Sequence, residues 1–88
     1  MPMFYFHTED GAFYKDEHGA DCADLKAASA AALQVLAEHL ESRPKDFWAH
    51  DCLQIHLADE RGLRLLTLSV TAIFSAAIAN RPQIARPE

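Results

Sequence analysis

The chain has 88 residues, half of them apolar, with 13 acidic and 8 basic side chains and a formal net charge of −5. That length holds one domain and buries only ~60–65% of its unfolded surface, which favours help from a partner subunit. The apolar content excludes a disordered tail, and the acidic balance argues against nucleic acid or anionic membrane as partners, because like charges repel phosphate groups.

The start, "MFYFHTEDGAFY", sets aromatic residues on both sides of Thr-Glu-Asp-Gly. Aromatic residues suit a pleated surface, and a Gly at the end of a short polar loop supplies the positive φ of a three-residue hairpin turn. With Glu9-Asp10-Gly11 as that turn, Thr8 pairs with Ala12, His7 with Phe13 and Phe6 with Tyr14. A two-residue Asp10-Gly11 turn is the alternative and shifts the register by one. In the first register Phe4, Phe6 and Tyr14 share one face, and Tyr5, His7 and Phe13 the other. This start has neither a basic n-region nor a long apolar core, so no signal peptide is expected.

"DEHGAD" (16–21) reads as a turn into a helix start, with Asp24 as N-cap. The Ala- and Leu-rich stretch that follows contains no Gly or Pro, and Pro44 stops the helix around Ser42. Leu25, Ala28, Ala32, Val35, Leu36 and Leu40 fall on one helical face. "DFWAHDC" is expected to be a connection, with Trp48 beside Phe47 as a core plug.

Leu53, Ile55 and Leu57 alternate with Gln54, His56 and Ala58, the period of a half-buried strand. Glu60-Arg61-Gly62 repeats the acidic-x-Gly turn. The parity of the apolar residues switches between Leu63, Leu65 and Leu66, Leu68, Val70, which predicts a β-bulge near Leu65–Leu66. Beyond Thr71, "AIFSAAIAN" reads as a short apolar helix before a frayed end. The longest apolar stretch, "LLTLSVTAIFSAAIA", is interrupted by hydroxyls and shorter than the ~20 residues of a membrane span. A cytoplasmic protein is expected, with Cys22 and Cys52 as free thiols.

The pattern therefore predicts an α+β domain over residues 1–70. Its hairpin–helix–hairpin order, ββαββ, forms a four-stranded antiparallel sheet with one long helix on one face. Residues 71–88 form a short helical tail. One Ala-rich helix covers only one sheet face, and both strand parities carry large apolar groups. This predicts a homodimer, with Ile73, Phe74 and Ile78 as candidate contacts.

Taken together, "MPMFYFHTEDG", "DEHGAD", "ADLKAA" and "IHLADERGLRLLTLSV" resemble a family of short bacterial proteins classed as a domain of unknown function. The resemblance covers Met1 to Val70. It implies the order of elements and a bacterial cytoplasmic setting, and brings no activity, ligand or partner with it. The N-terminal hairpin and long helix also resemble the antitoxin halves of some bacterial toxin–antitoxin pairs. This chain lacks their third consecutive strand and any recognisable DNA-binding segment.

Five histidines and two cysteines raise the question of metal. His50 and His56 lie ~20 Å apart along one strand and cannot share an ion. His50 and Cys52, joined by His18 or Cys22, form the candidate metal set, although the spacing matches no standard zinc pattern. His7 and His56 are the candidate polar site. No catalytic residue and no cofactor is assigned: the chain has no phosphate-cradling loop, serine elbow or Cys-x-x-Cys. The favoured function is a non-catalytic binding or regulatory module acting by protein–protein contact. Alternatives are a small-ligand or metal-binding protein using His and acidic residues, and an antitoxin-like module.

Overall fold

The computed structural model describes residues 2–77. Its elements are β1 (Met3–Glu9), β2 (Phe13–Tyr14), β3 (Ala20–Asp21), α1 (Leu25–Ser42), α2 (Pro44–His50), β4 (Cys52–Ala58) and β5 (Arg64–Thr71). The fold is α+β with an antiparallel sheet, but the sheet has five strands rather than the expected four. Their order is β2-β1-β4-β5, with β3 also paired to β1.

The fifth strand arises because the return strand of the first hairpin is broken in two. β2 pairs with β1 at Thr8–Tyr14 and Glu9–Phe13. β3 resumes the pairing at Met3–Asp21 and Phe4–Ala20. Between them Asp16 takes over the role of a strand. One carboxylate oxygen accepts from the N–H of Phe6 at 3.1 Å, and the other accepts from His18 and Gly19. An aspartate that gathers backbone donors beyond itself makes a turn, so the strand yields to the loop here.

The first turn also corrects the expected register. Its loop is Asp10-Gly11-Ala12, one residue further along than expected, closed by an Asp10 N–H to Ala12 carbonyl bond of 3.1 Å. Gly11 has φ +102°, as the turn requires. Each strand slides by one residue, so the expected faces survive. In the second hairpin Leu57 opposes Leu66 while Ala58 opposes Arg64, which leaves Leu65 as an extra residue. That is the bulge the parity switch predicts.

Helix α1 begins and ends where the sequence places it. The Asp24 carboxylate accepts from the N–H of Ala27 at 2.9 Å, satisfying one donor of the open first turn. Ala28, Ala32 and Leu36 are buried against the sheet. The alanines keep this face thin, so the helix lies close over Leu53, Ile55 and Leu57, the largest fully buried side chains. Each such burial is worth ~1.5–3 kcal/mol. Leu25, expected on the buried face, is 47% exposed because it precedes the first turn that reaches the sheet.

The expected connection after Pro44 is instead helix α2. Pro44 stops α1 and then serves as the first residue of the next helix, where its missing N–H costs nothing. Phe47 is the buried plug, with Trp48 packed edge-on against it at 5.0 Å and only partly buried. Asp51, at φ +58°, ends the helix by donating its N–H to the Phe47 carbonyl.

The expected tail helix is not found over residues 72–77, which follow β5 as irregular chain and a turn. Ala72 still packs on the core, and its N–H donates to the Asp51 carbonyl. Ile73 is 88% exposed, whereas Ile78 lies outside the described residues. No helix among the described residues is long and apolar enough to cross a membrane.

Candidate functional site

The sheet face opposite α1 differs from the apolar surface expected there. Leu66, Leu68 and Val70 lie on the helix side with Phe6. The open face carries a row of polar and aromatic side chains centred on two histidines. His7 of β1 and His56 of β4 are direct cross-strand partners, so the two expected polar residues come together.

His56 is almost fully buried, although it lies on the open face. Its Nδ1 is 2.8 Å from the Thr67 hydroxyl, and its Nε2 is 2.9 Å from a Glu9 carboxylate oxygen. An ionised carboxylate only accepts, so Nε2 carries the proton; in the neutral ring, Nδ1 accepts from Thr67. Phe13 roofs the pair, with its ring centroid 5.6 Å from His7 and 6.3 Å from His56. The Arg64 guanidinium lies 5.7 Å over the same Phe13 ring.

His7 has the complementary arrangement. Its Nδ1 accepts the backbone N–H of Asp16 at 2.9 Å, which assigns the proton of the neutral ring to Nε2. Burial lowers its pKa below the ordinary 6.5 against the attraction of Asp16, and the positive charges of Arg64, Lys15 and a protonated His56 lower it further. For Asp16, burial acts upward, but the N–H groups of Phe6, His18 and Gly19, with His7, outweigh it and hold the carboxyl below the ordinary 3.8. Near neutrality His7 is an uncharged hydrogen-bond donor.

His7 lines a cleft of about 390 Å³ between the Lys15–Glu17 loop and the β4–β5 turn, with Tyr5 stacked beside it and Asp59, Glu60 and Arg61 opposite. In these tautomers both nitrogens of His56 and the Nδ1 of His7 already have partners. The face can donate a hydrogen bond and offer an aromatic platform. It does not present a free basic nitrogen of the kind general-base chemistry needs.

The residues expected to hold metal are dispersed. His18 is exposed in the loop before β3, Cys22 is buried beside Phe4, Ala28 and Leu57, and Cys52 opens β4 opposite Thr71. Both cysteines are free. His50, at the end of α2, rests against Gly11, and a Cβ there would lie 2.3 Å from its ring. Among the described residues, the one group of three potential metal ligands that converges is Asp10, His39 and Asp46. Sequence reading missed it, as it missed Glu9 and Thr67 around His56, because each set joins residues from separate elements.

A family model described as "Domain of unknown function (DUF6894)" matches residues 3–71. The chain belongs to this family. The DUF6894 match spans the whole sheet and both helices and stops at the last residue of β5. No curated protein and no solved structure matches the chain.

Proposed function

We propose that this DUF6894 protein is a non-catalytic binding module that acts by protein–protein contact, and that its first partner is a second copy of itself. The observation that carries this reading is the outer edge of β5. Among the described residues, β5 is paired only on its β4 side. The bulge at Leu65 and the charge of Arg64 blunt one end of this edge, but Leu66 to Thr71 form a regular strand without Pro or Lys.

The direction of the free groups follows from the ladder. Phe6 turns its N–H away from β4 toward Asp16. In an antiparallel sheet alternate residues address opposite edges. Carried through the β1–β4 and β4–β5 registers, this directs Leu66, Leu68 and Val70 to β4. It leaves the N–H and C=O groups of Thr67, Ser69 and Thr71 facing outward. Antiparallel pairing of two such edges about a two-fold axis satisfies both and closes the assembly. Leu63, Leu65 and Ile73, all exposed, flank the strand and would gain cover.

Sedimentation or light scattering at micromolar concentration tests the reading. The expected species is twice the 9.8 kDa chain mass. Ser69→Pro removes one outward N–H without touching the β4 ladder, and is expected to give a folded monomer. A wild-type chain that stays monomeric, or a Ser69→Pro chain that still dimerises, defeats the edge-pairing reading.

A further inference from the structure

We propose that Asp10, His39 and Asp46 form a binding site for a divalent transition-metal ion of the zinc class. Asp10 comes from the β1–β2 turn, His39 from the last turns of α1 and Asp46 from the first turn of α2. One ligand atom from each lies within 4.8 Å of the other two. Zinc binds imidazole nitrogen and carboxylate oxygen at about 2.0–2.2 Å, so these atoms need to draw together by only about an ångström.

The histidine gives independent support. His39 Nε2 is buried and lacks a hydrogen-bond partner. It is 3.5 Å from Asp10 Oδ2, whereas a charged N–H to carboxylate bond would close to about 2.7–2.9 Å. The Asp10 carboxylate is itself only 9% exposed. A buried ring nitrogen left without a hydrogen bond is costly, and here it faces a nearly buried carboxylate. A cation between them, with Asp46 as the third ligand, gives that nitrogen a partner and sets the carboxylate against a positive charge.

The exposed side of the cluster opens on a pocket lined by Asp10, Asp46, His50 and Tyr14, which leaves room for water or for His50 as a further ligand. One nitrogen with two carboxylates suits zinc and its neighbours. Calcium and magnesium prefer all-oxygen shells. Bound metal would tie the first hairpin to the corner between the two helices.

The test is zinc titration of the full-length chain after chelator treatment, followed by calorimetry and thermal melting. One equivalent of zinc is expected to bind and raise the melting temperature, with no rise from the same concentration of magnesium. Cobalt(II) in place of zinc is expected to show visible absorption from a low-symmetry site. Asp46→Asn and His39→Gln should each weaken zinc binding by about tenfold or more, the scale on which altered metal surroundings are felt. Asp46 is exposed, so its variant should fold even if the His39 variant does not. His18→Ala and Cys52→Ser should leave the affinity unchanged. Zinc without effect, zinc binding indifferent to Asp46→Asn, or binding lost with His18 or Cys52 would each overturn the assignment.

Discussion

The two edges of the sheet meet the same problem in opposite ways. On one side β1 is covered by two short strands, and the Asp16 carboxylate takes the Phe6 N–H in the gap between them. On the other side β5 is long, regular past its bulge and paired only inward. The first edge is sealed within the chain by side-chain chemistry; the second presents its backbone to whatever can pair with it. The difference teaches that a strand need not be continuous to protect an edge. One well-placed carboxylate can replace a stretch of partner strand.

If Asp16 is the seal, its loss should give the largest effect. Asp16→Ala removes the acceptor for three backbone N–H groups, one of them within the sheet. At roughly 1 kcal/mol per bond, it is expected to cost about 3 kcal/mol in a denaturant melt. A change under about 1 kcal/mol would mean that water seals the gap as well as Asp16 does.

Glycines sharpen the same contrast. A Cβ at Gly19, beside the sealed edge, would lie 2.9 Å from the Phe4 carbonyl oxygen and 2.8 Å from the Tyr5 ring, and Gly19 has φ +70°. Gly62 has φ +86°, with nothing within 4 Å of such a Cβ. Gly19→Ala is expected to cost about 2 kcal/mol or more, because a backbone atom must yield as well. Gly62→Ala should cost about 1 kcal/mol, from backbone conformation alone. Paired urea titrations compare the two; equal losses would contradict the crowding at the sealed edge.

Acid should loosen the sealed edge first. The folded pKa of His7 is depressed, so the unfolded chain takes up protons more readily between that pKa and 6.5. The stability held by neutral His7 is complete above pH 6.5 and lost as pH falls through its folded pKa. Asp16 adds a second loss below pH 3.8, through its own depressed pKa. Melting temperature should therefore fall in two steps on acidification, and His7→Phe should remove the upper one. A variant that keeps that step would place its origin elsewhere.

The smallest effect on stability belongs to the open edge. Leu65→Lys sits on the bulge, at an exposed position, and should change monomer stability by no more than about 0.5 kcal/mol. Its effect should fall on the assembly instead, weakening the dimer in sedimentation because charge on an exposed edge opposes pairing.

How far the sequence could be read depends on the range of the forces involved. The Asp24 cap and the Gly- and Pro-free run after it act within a turn or two, and α1 lies where they place it. The alternation of Leu53, Ile55 and Leu57, and the change of parity at Leu65, are equally local, and the buried row and the bulge follow from them. Pro44 is a stop signal for α1, and the same residue also starts α2. Its local chemistry permits either outcome, and the burial of Phe47 against the core tips the balance.

Local patterns in the sequence alone fix the long helix, the two Gly turns and the parity of the strands. Each of these is written in residues a few positions apart. Tertiary structure alone decided that Asp16 would break the second strand, since its carboxylate needs the Phe6 N–H ten residues earlier. It also decided that Glu9 would meet His56 across 47 positions of chain, and that Asp10, His39 and Asp46 would converge from a turn and two helices. Such meetings depend on how packed elements are placed in space, and no local spacing encodes that placement.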